Sequence, residues 1–258
     1  MAPHIDIAAE KLFSIAGFPV TNALITSWIV VGILVVAALS LRRLQTIPAG
    51  FQTVFETFIE GFLGLMEGAF GSRARAETYF PIVGTIFAFV LTSNWLGIFP
   101  GVGSIQFIEE RTHEIIPLFR SAASDLNFTL GLGIVAVFLV NVSGVTALGL
   151  KTHLSKFFTL KNPILSFVGI LEFISEFAKI VSFSFRLFGN VFAGEVLFTI
   201  TAFVATALTP TAVGSLQPVI MAGALLPFLG LEIFVGLVQA LVFAMLTMVF
   251  VSISVAHH

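Results

Sequence analysis

The chain has 258 residues, of which 57% are hydrophobic and only 10% charged, with a formal net charge of −2 and a mean hydropathy of +1.07. Soluble domains carry about 25% charged residues, so this composition excludes an ordinary water-soluble protein, and its balance gives no basis for nucleic-acid binding. The absence of cysteine excludes disulfides and thiolate metal sites without identifying a compartment.

Residues 1–21 form an N-terminal segment that makes a poor secretory signal. Asp6 and Glu10 stand against Lys11, and the apolar piece that follows is short and broken by Pro19. Asn22–Leu41 is the first run long enough to cross a bilayer, which takes roughly 20 apolar residues. It ends at Arg42-Arg43, and Pro48 then breaks the chain.

Residues 51–70 carry a different pattern. Phe51, Val54, Phe55, Phe58, Ile59, Phe62 and Met66 share one helical face, and Glu56, Glu60 and Glu67 share the other. This predicts an amphipathic helix. Three carboxylates at about 2.5 kcal/mol or more each make spanning costly, so the helix is expected on the membrane surface or against a protein partner.

Phe80–Ile98 is the second span, with Trp95 suited to an interface and Pro100-Gly101 marking a turn. A polar loop of mixed charge covers 102–124. Leu126–Leu150 is the third span, followed by a short basic loop with Lys151, Lys156 and Lys161.

Two long apolar segments complete the chain, 164–208 and 219–256. Ile164–Leu208 contains no proline. At 1.5 Å per residue its roughly 45 residues make a helix of about 67 Å, against a hydrocarbon core of about 30 Å. The two segments are therefore read as long, strongly tilted helices in a hairpin around 210–218, supported by protein on one flank. The fold expected for 1–258 is a single all-α membrane domain with about five crossing helices and one surface helix. A β-barrel is excluded by the lack of period-two strands of about ten residues.

Lysine and arginine placement sets orientation. The 42–75 connection holds four of them and the 151–161 loop three; the 102–124 loop holds two, offset by Glu109, Glu110 and Glu114, and the tip near 210 holds none. This places the N-terminus, the 102–124 loop and the 210 tip outside, and the basic loops and C-terminus inside.

The stretch "SFSFRLFGNVFAGEVL" puts Arg186 far from either end of its apolar segment. With Arg186 at zero on a wheel of about 100° per residue, Glu172 and Asn190 fall near 40°, Lys179 near 20°, Glu176 near 80°, Ser175 near −20° and Ser182 near −40°. These make a polar stripe. Glu176 and Lys179 are spaced to pair with each other. Glu195 falls near 180°, on the opposite face, while Glu232 and Gln239 share a face of the last helix. Ionisable residues within membrane spans usually mark a pathway, although a lysine–glutamate pair is commonly structural and Gln239 and Asn190 can simply hold helices together. Arginine does not deprotonate in proteins, so Arg186 acts as a fixed cation whose counterpart is a carboxylate that comes and goes, supplied by another subunit. A glutamate can take up and release a proton, so Glu195 and Glu232 are candidates for a proton wire. His257 and His258 are expected to be solvated.

At this point the motifs are recognisable. "RLFGNVFAGE", "GLEIFVGLVQALVFAMLTMVFVSISVAHH", "SDLNFTLGL" and "TSNWLGIFPG" resemble the a subunits of F-type ATP synthases, in their bacterial and chloroplast form, and the resemblance covers most of the chain. It implies that Arg186 faces a ring of c subunits and separates two offset aqueous half-channels. It also implies that Glu195, Glu232 and Gln239 line the outer half-channel, with Asp125 near its entrance and Asn190 one turn from the arginine. The implied partners are the c-ring, the b subunits of the peripheral stalk and the other synthase subunits; the implied location is the bacterial inner membrane. Some family members carry histidine at one of the positions of Glu195 and Glu232. Here both are glutamate, and two close carboxylates titrate as a coupled pair.

The expected function is thus a proton-conducting stator subunit of a rotary ATP synthase, not an enzyme by itself, with no cofactor or metal. The alternative is a stand-alone secondary transporter whose arginine binds an anionic substrate, but no repeat between the halves supports it. A membrane enzyme is disfavoured, because the five histidines are scattered in loops or at termini and form no metal site or nucleophile–base pair.

Overall fold

The computed structural model describes residues 9–15, 17–41, 50–99, 105–108, 115–157, 163–208 and 217–256. Expectations that concern Arg42 and Arg43, Pro48, the Pro100-Gly101 turn, Lys161, the tip near 210 and the two terminal histidines lie outside the described residues.

Helices dominate the described chain: α1 (Asn22–Ser40), α2 (Phe51–Phe70), α3 (Arg73–Ile98), α4 (Leu126–Leu148), α5 (Leu150–Ser155), α6 (Pro163–Leu208) and α7 (Gln217–Val255). By length and composition, α1, α3, α4 and the Val219–Val255 part of α7 are apolar enough to cross a membrane. The fold departs from all-α in two small antiparallel hairpins, β1 (Lys11–Ile15) with β2 (Phe18–Thr21) and β3 (Gln106–Ile108) with β4 (Ile115–Pro117). Both lie in segments where apolar helical periodicity is missing.

Boundaries differ in informative ways. α3 begins at Arg73, a full two turns before the expected span, and passes through Pro81. The last segment is not free of helix breakers either: Pro227 lies inside α7, and the 39-residue helix continues through it. α6 is a single helix of 46 residues. The third span stops at Leu148 because Gly149 adopts φ 81, a left-handed conformation that glycine accepts without a Cβ penalty. The basic loop then begins with the short helix α5.

Contacts divide the chain into two compact units, each built from three stretches. The first comprises Met1–Val31, Val90–Thr129 and Phe185–Gln239. Here the β1–β2 hairpin runs straight into α1, whose start is capped by Thr21: its hydroxyl accepts from the Leu24 amide at 3.3 Å. Asn22 is fully buried. Its side-chain amide donates to Glu10 Oε2 at 3.1 Å and to the Pro117 carbonyl at 3.2 Å, tying the two hairpin regions together. Asn94 and Trp95 of α3 donate to the Gly236 and Ile233 carbonyls of α7.

The second unit comprises Gly32–Phe89, Leu130–Ser184 and Ala240–His258. In it the apolar face of α2 finds its partner within the chain. Phe58, Phe62 and Phe87 of α3 cluster with ring centroids 4.8–5.0 Å apart. Phe62, Leu63, Met66 and Phe70 are buried, whereas Val54, expected on that face, is exposed. Gly71, at φ 71, ends α2 in a left-handed cap, and Arg73 bridges Glu60 and Glu77 across the turn. Phe183 of α6 packs on Phe243 and Phe250 of α7.

The polar groups of this unit form a chain. Lys179 Nζ lies 2.6 Å from Glu176 Oε1 and 4.7 Å from the centre of the Phe250 ring. Asn141 donates to Glu176 Oε2 at 3.0 Å, and its carbonyl oxygen lies 3.0 Å from His153 Nε2. The Lys179–Glu176 pair is therefore part of a network joining α4, α5 and α6. His153 is 5% exposed. Its burial, and then the nearby Lys156 charge, hold its pKa below the ordinary histidine value.

Candidate functional site

The site residues named from sequence all fall within the first unit, on α6, α7 and the segment before α4. Helical spacing distributes them. Arg186, Ser182 and Asn190 lie on an exposed stripe of α6, alongside Phe185 and Gly189. Glu195 is half-buried and turned to other neighbours.

One turn beyond Arg186, Asn190 Nδ2 donates to Gln239 Oε1 at 2.7 Å, linking α6 to α7. Gln239 is 4% exposed. Two turns N-terminal to it on α7 is Glu232, whose carboxyl rests against α6 at Gly194. A Cβ at position 194 would come within 2.7 Å of Glu232 Oε1 and 3.2 Å of its Cδ. Glycine is what lets the carboxyl approach the α6 backbone so closely.

Asn94, Asn190, Glu232 and Gln239, with Ile98, Val191, Val235 and Gly236, line a small cavity of about 10 Å³, room for about one water. Two buried polar atoms of this lining lack a hydrogen-bond partner, Asn94 Oδ1 and Gln239 Nε2. One accepts and the other donates, the combination that an ordered water satisfies. Gly236 permits the close approach of α3 here, since a Cβ on it would meet Asn94 Cβ at 3.2 Å.

Glu195 has a partner that the sequence did not announce. Arg120 Nε lies 3.2 Å from Glu195 Oε1, and Arg120 Nη2 donates to Oε2 at 3.4 Å. Arg120 Nε also donates to Ser124 Oγ at 3.0 Å. The segment Arg120–Asp125 is buried throughout, so the end of the supposed solvent loop packs into the protein as a plug. Asp125 closes it as the N-cap of α4, its Oδ1 accepting from the Asn127 amide at 2.9 Å and from Asn127 Nδ2 at 3.2 Å.

Sequence reasoning missed Arg120 and Asn94. Arg120 carries the same signal as Arg186, a cation among small and apolar residues ("PLFRSAASDL"), but it sits in a polar segment that reads as a loop. Asn94 stands inside "TSNWLGIFPG", where the tryptophan and proline beside it are the stronger signals. Among the described residues no cluster of three or more metal-ligating side chains occurs.

Comparison with known proteins gives this geometry a family. The protein-family model described as the ATP synthase A chain matches residues 24–252. The chain is 30% identical over 249 residues to ATP synthase subunit a of Moorella thermoacetica, covering 96% of this chain and 97% of the relative. It is 31% identical over 256 residues to ATP synthase subunit a of Mycobacterium tuberculosis, covering 98% and 94%. A third relative, at 32% identity over 249 residues with 96% and 78% covered, is ATP synthase subunit a, sodium ion specific, of Propionigenium modestum. A match of this extent decides the matter: the chain belongs to the ATP synthase A chain family.

Proposed function

We propose that this membrane-sector subunit of an ATP synthase conducts protons between the outside and a ring of c subunits, so that proton flow drives rotation and ATP synthesis. It is a multi-pass membrane protein that works with the other synthase subunits and carries no catalysis by itself. In this reading five helices cross the membrane. α6 and α7 lie strongly tilted as a hairpin beside the ring, the N-terminus is outside, and the C-terminus is in the cytoplasm of a bacterium. The b subunits of the peripheral stalk hold the subunit against rotation.

The observation that carries the proposal is the division of α6 into two faces. Arg186 stands on an exposed stripe with Asn190, while Glu195 pairs with the buried Arg120 on the other face; Asn190 reaches across to Gln239 and the small cavity beside Glu232. A proton from outside enters past Asp125, passes along the Glu195–Glu232 pair, and is handed through water in the cavity, oriented by the Asn190–Gln239 amides, to a ring carboxylate. The neutral carboxyl then moves into lipid at low cost. After a turn of the ring it meets the inner half-channel and gives up its proton, because Arg186 favours the anion as it arrives. The same permanent cation repels a proton moving directly between half-channels. Two glutamates, which can take up and release protons, suit proton transfer, and conduction is expected without sodium.

Replacing Arg186 with alanine is expected to abolish proton-driven ATP synthesis in the reconstituted synthase; retained synthesis overturns the assignment. Glu232→Gln is expected to block passive proton conduction, and an unchanged rate removes Glu232 from the path.

A further inference from the structure

We propose that Arg120 is a positioning residue of the outer proton path: it holds the Glu195 carboxylate in place and balances its charge, leaving Glu232 as the member of the pair that carries the proton. This rests on the half-channel reading above and goes beyond it by assigning unequal roles to the two glutamates.

Three observations support it. First, the guanidinium meets both oxygens of the carboxylate: Nη2 donates to Oε2 at 3.4 Å, and Nε, whose hydrogen goes to Ser124, lies 3.2 Å from Oε1 as an ion-pair contact. A rigid planar guanidinium touching both oxygens sets the orientation of the carboxylate as well as its position. Second, Arg120 is only 7% exposed, and its permanent charge needs an anion in that setting. Its fixed place is enforced by Ser124, whose hydroxyl accepts from Nε at 3.0 Å and itself donates to the Ser121 carbonyl at 2.9 Å. The surrounding Ala122, Ala123 and Ser124 are fully buried, so the guanidinium is anchored on a packed turn. Third, Glu232 is placed differently. Its carboxyl rests on the bare backbone at Gly194, beside the cavity with the orphaned Asn94 and Gln239 atoms.

Glu195 and Glu232 interact electrostatically. With one countercharge supplied by Arg120, the resting site of Arg120, Glu195 and Glu232 is neutral when it holds a single proton, on Glu232. Passing that proton inward leaves a net charge of −1, which draws the next proton from outside. Arg120 takes part in no bond change; it sets how many protons the site holds.

The test is a double-mutant cycle in the whole membrane sector, reconstituted in lipid vesicles and assayed for proton conduction driven by a potassium diffusion potential. Arg120→Gln is expected to slow conduction about tenfold, within the coupling range of contacting residues. Glu195→Gln also slows it, and the double variant is no slower than the worse single one. Losses that multiply in the double variant show that Arg120 acts independently of Glu195 and overturn the proposal. Arg120→Lys keeps the charge but loses the fork, and is expected to restore most of the conduction lost in Arg120→Gln; a lysine variant as slow as the glutamine variant also overturns it. If Arg120→Gln does not assemble, infrared difference spectroscopy of Arg120→Lys with and without Glu195→Gln decides: the Glu195 carboxylate band must shift when the fork is lost. Failure of the underlying reading looks different, because Glu232→Gln would then conduct normally whatever the cycle shows.

Discussion

Gly194→Ala separates helix stability from proton transfer, because the structure predicts opposite signs for the two. Position 194 lies inside α6, where alanine is favoured over glycine by roughly 0.5–1 kcal/mol. The added methyl meets the far end of a flexible side chain, Glu232 Oε1, at 2.7 Å, with Cδ at 3.2 Å and Cγ at 3.4 Å. Ordinary contact needs about 3.4–4 Å between such heavy atoms. The carboxyl must therefore retreat by about 0.7–1.3 Å, which rotation of the glutamate allows at small cost. Proton transfer tolerates less: donor and acceptor must stand about 2.6–3.2 Å apart, and a misplacement of about 1 Å costs up to 10²-fold. The variant should assemble, unfold no earlier than the parent in a thermal scan of the purified complex, and conduct protons roughly 10- to 100-fold more slowly in vesicles. Gly223→Ala serves as the control, because nothing lies within 4 Å of a Cβ there; it gains the same helix propensity and should conduct as before. Unchanged conduction in Gly194→Ala would refute the placement of Glu232 as a carrier that depends on its close approach to α6.

Asp125 offers a choice between two roles. Asp125→Ala loses the α4 N-cap, at about 1 kcal/mol, whereas Asp125→Asn keeps an acceptor for the Asn127 amide. Conduction that survives the asparagine change assigns Asp125 to capping, and conduction lost in both assigns it to the channel entrance. In the second unit, Asn141→Leu leaves Glu176 and His153 each short of one hydrogen bond. The expected loss is about 1.5–3 kcal/mol for the bond to the charged group and about 1 kcal/mol for the other, read as a lower unfolding temperature, and a change within error would remove the network from the stability of the α4–α6 packing. The folded-state pKa of His153 is depressed, so its contribution to stability is present above the unfolded value of about 6.5 and is lost as pH falls through the lower folded value. Thermal unfolding of the parent should show this acid loss, and His153→Gln should lack it.

Helices begin at Asn22, Phe51 and Leu126 and end at Phe70, Ile98 and Leu208, each at a local feature that is legible in the sequence. Polar or glycine punctuation ends most of them, and a three-carboxylate face distinguishes α2. Pro81 and Pro227 were less legible. A breaker count weighs the missing amide against the helix, but an apolar segment has no better alternative for its remaining backbone groups than to stay helical. The partner of the α2 face was also hidden, since amphipathicity says that a face is covered and not by what.

The same limit explains the site. Arg186 announced itself because nothing in its own helix at three or four residues' distance is acidic: those positions are Ser182, Phe183, Gly189 and Asn190. Spacing within one helix is readable from a wheel. Glu195 and Arg120 are separated by 75 residues, and Asn190 and Gln239 by 49, so their pairing depends on how separate elements pack, which no periodicity encodes. Yet a charge rule would have narrowed the search. A carboxylate in an apolar helix needs either a countercharge or a proton, and the 102–124 loop holds only two cations. Of the two glutamates, one received the countercharge and the other stands against a glycine. That asymmetry is why two identical side chains need not do identical work, and why replacing either with histidine should not be equivalent. At position 232 a histidine still accepts and donates a proton. At position 195 it places a ring that becomes cationic beside Arg120, and only there should conduction fail as the pH drops.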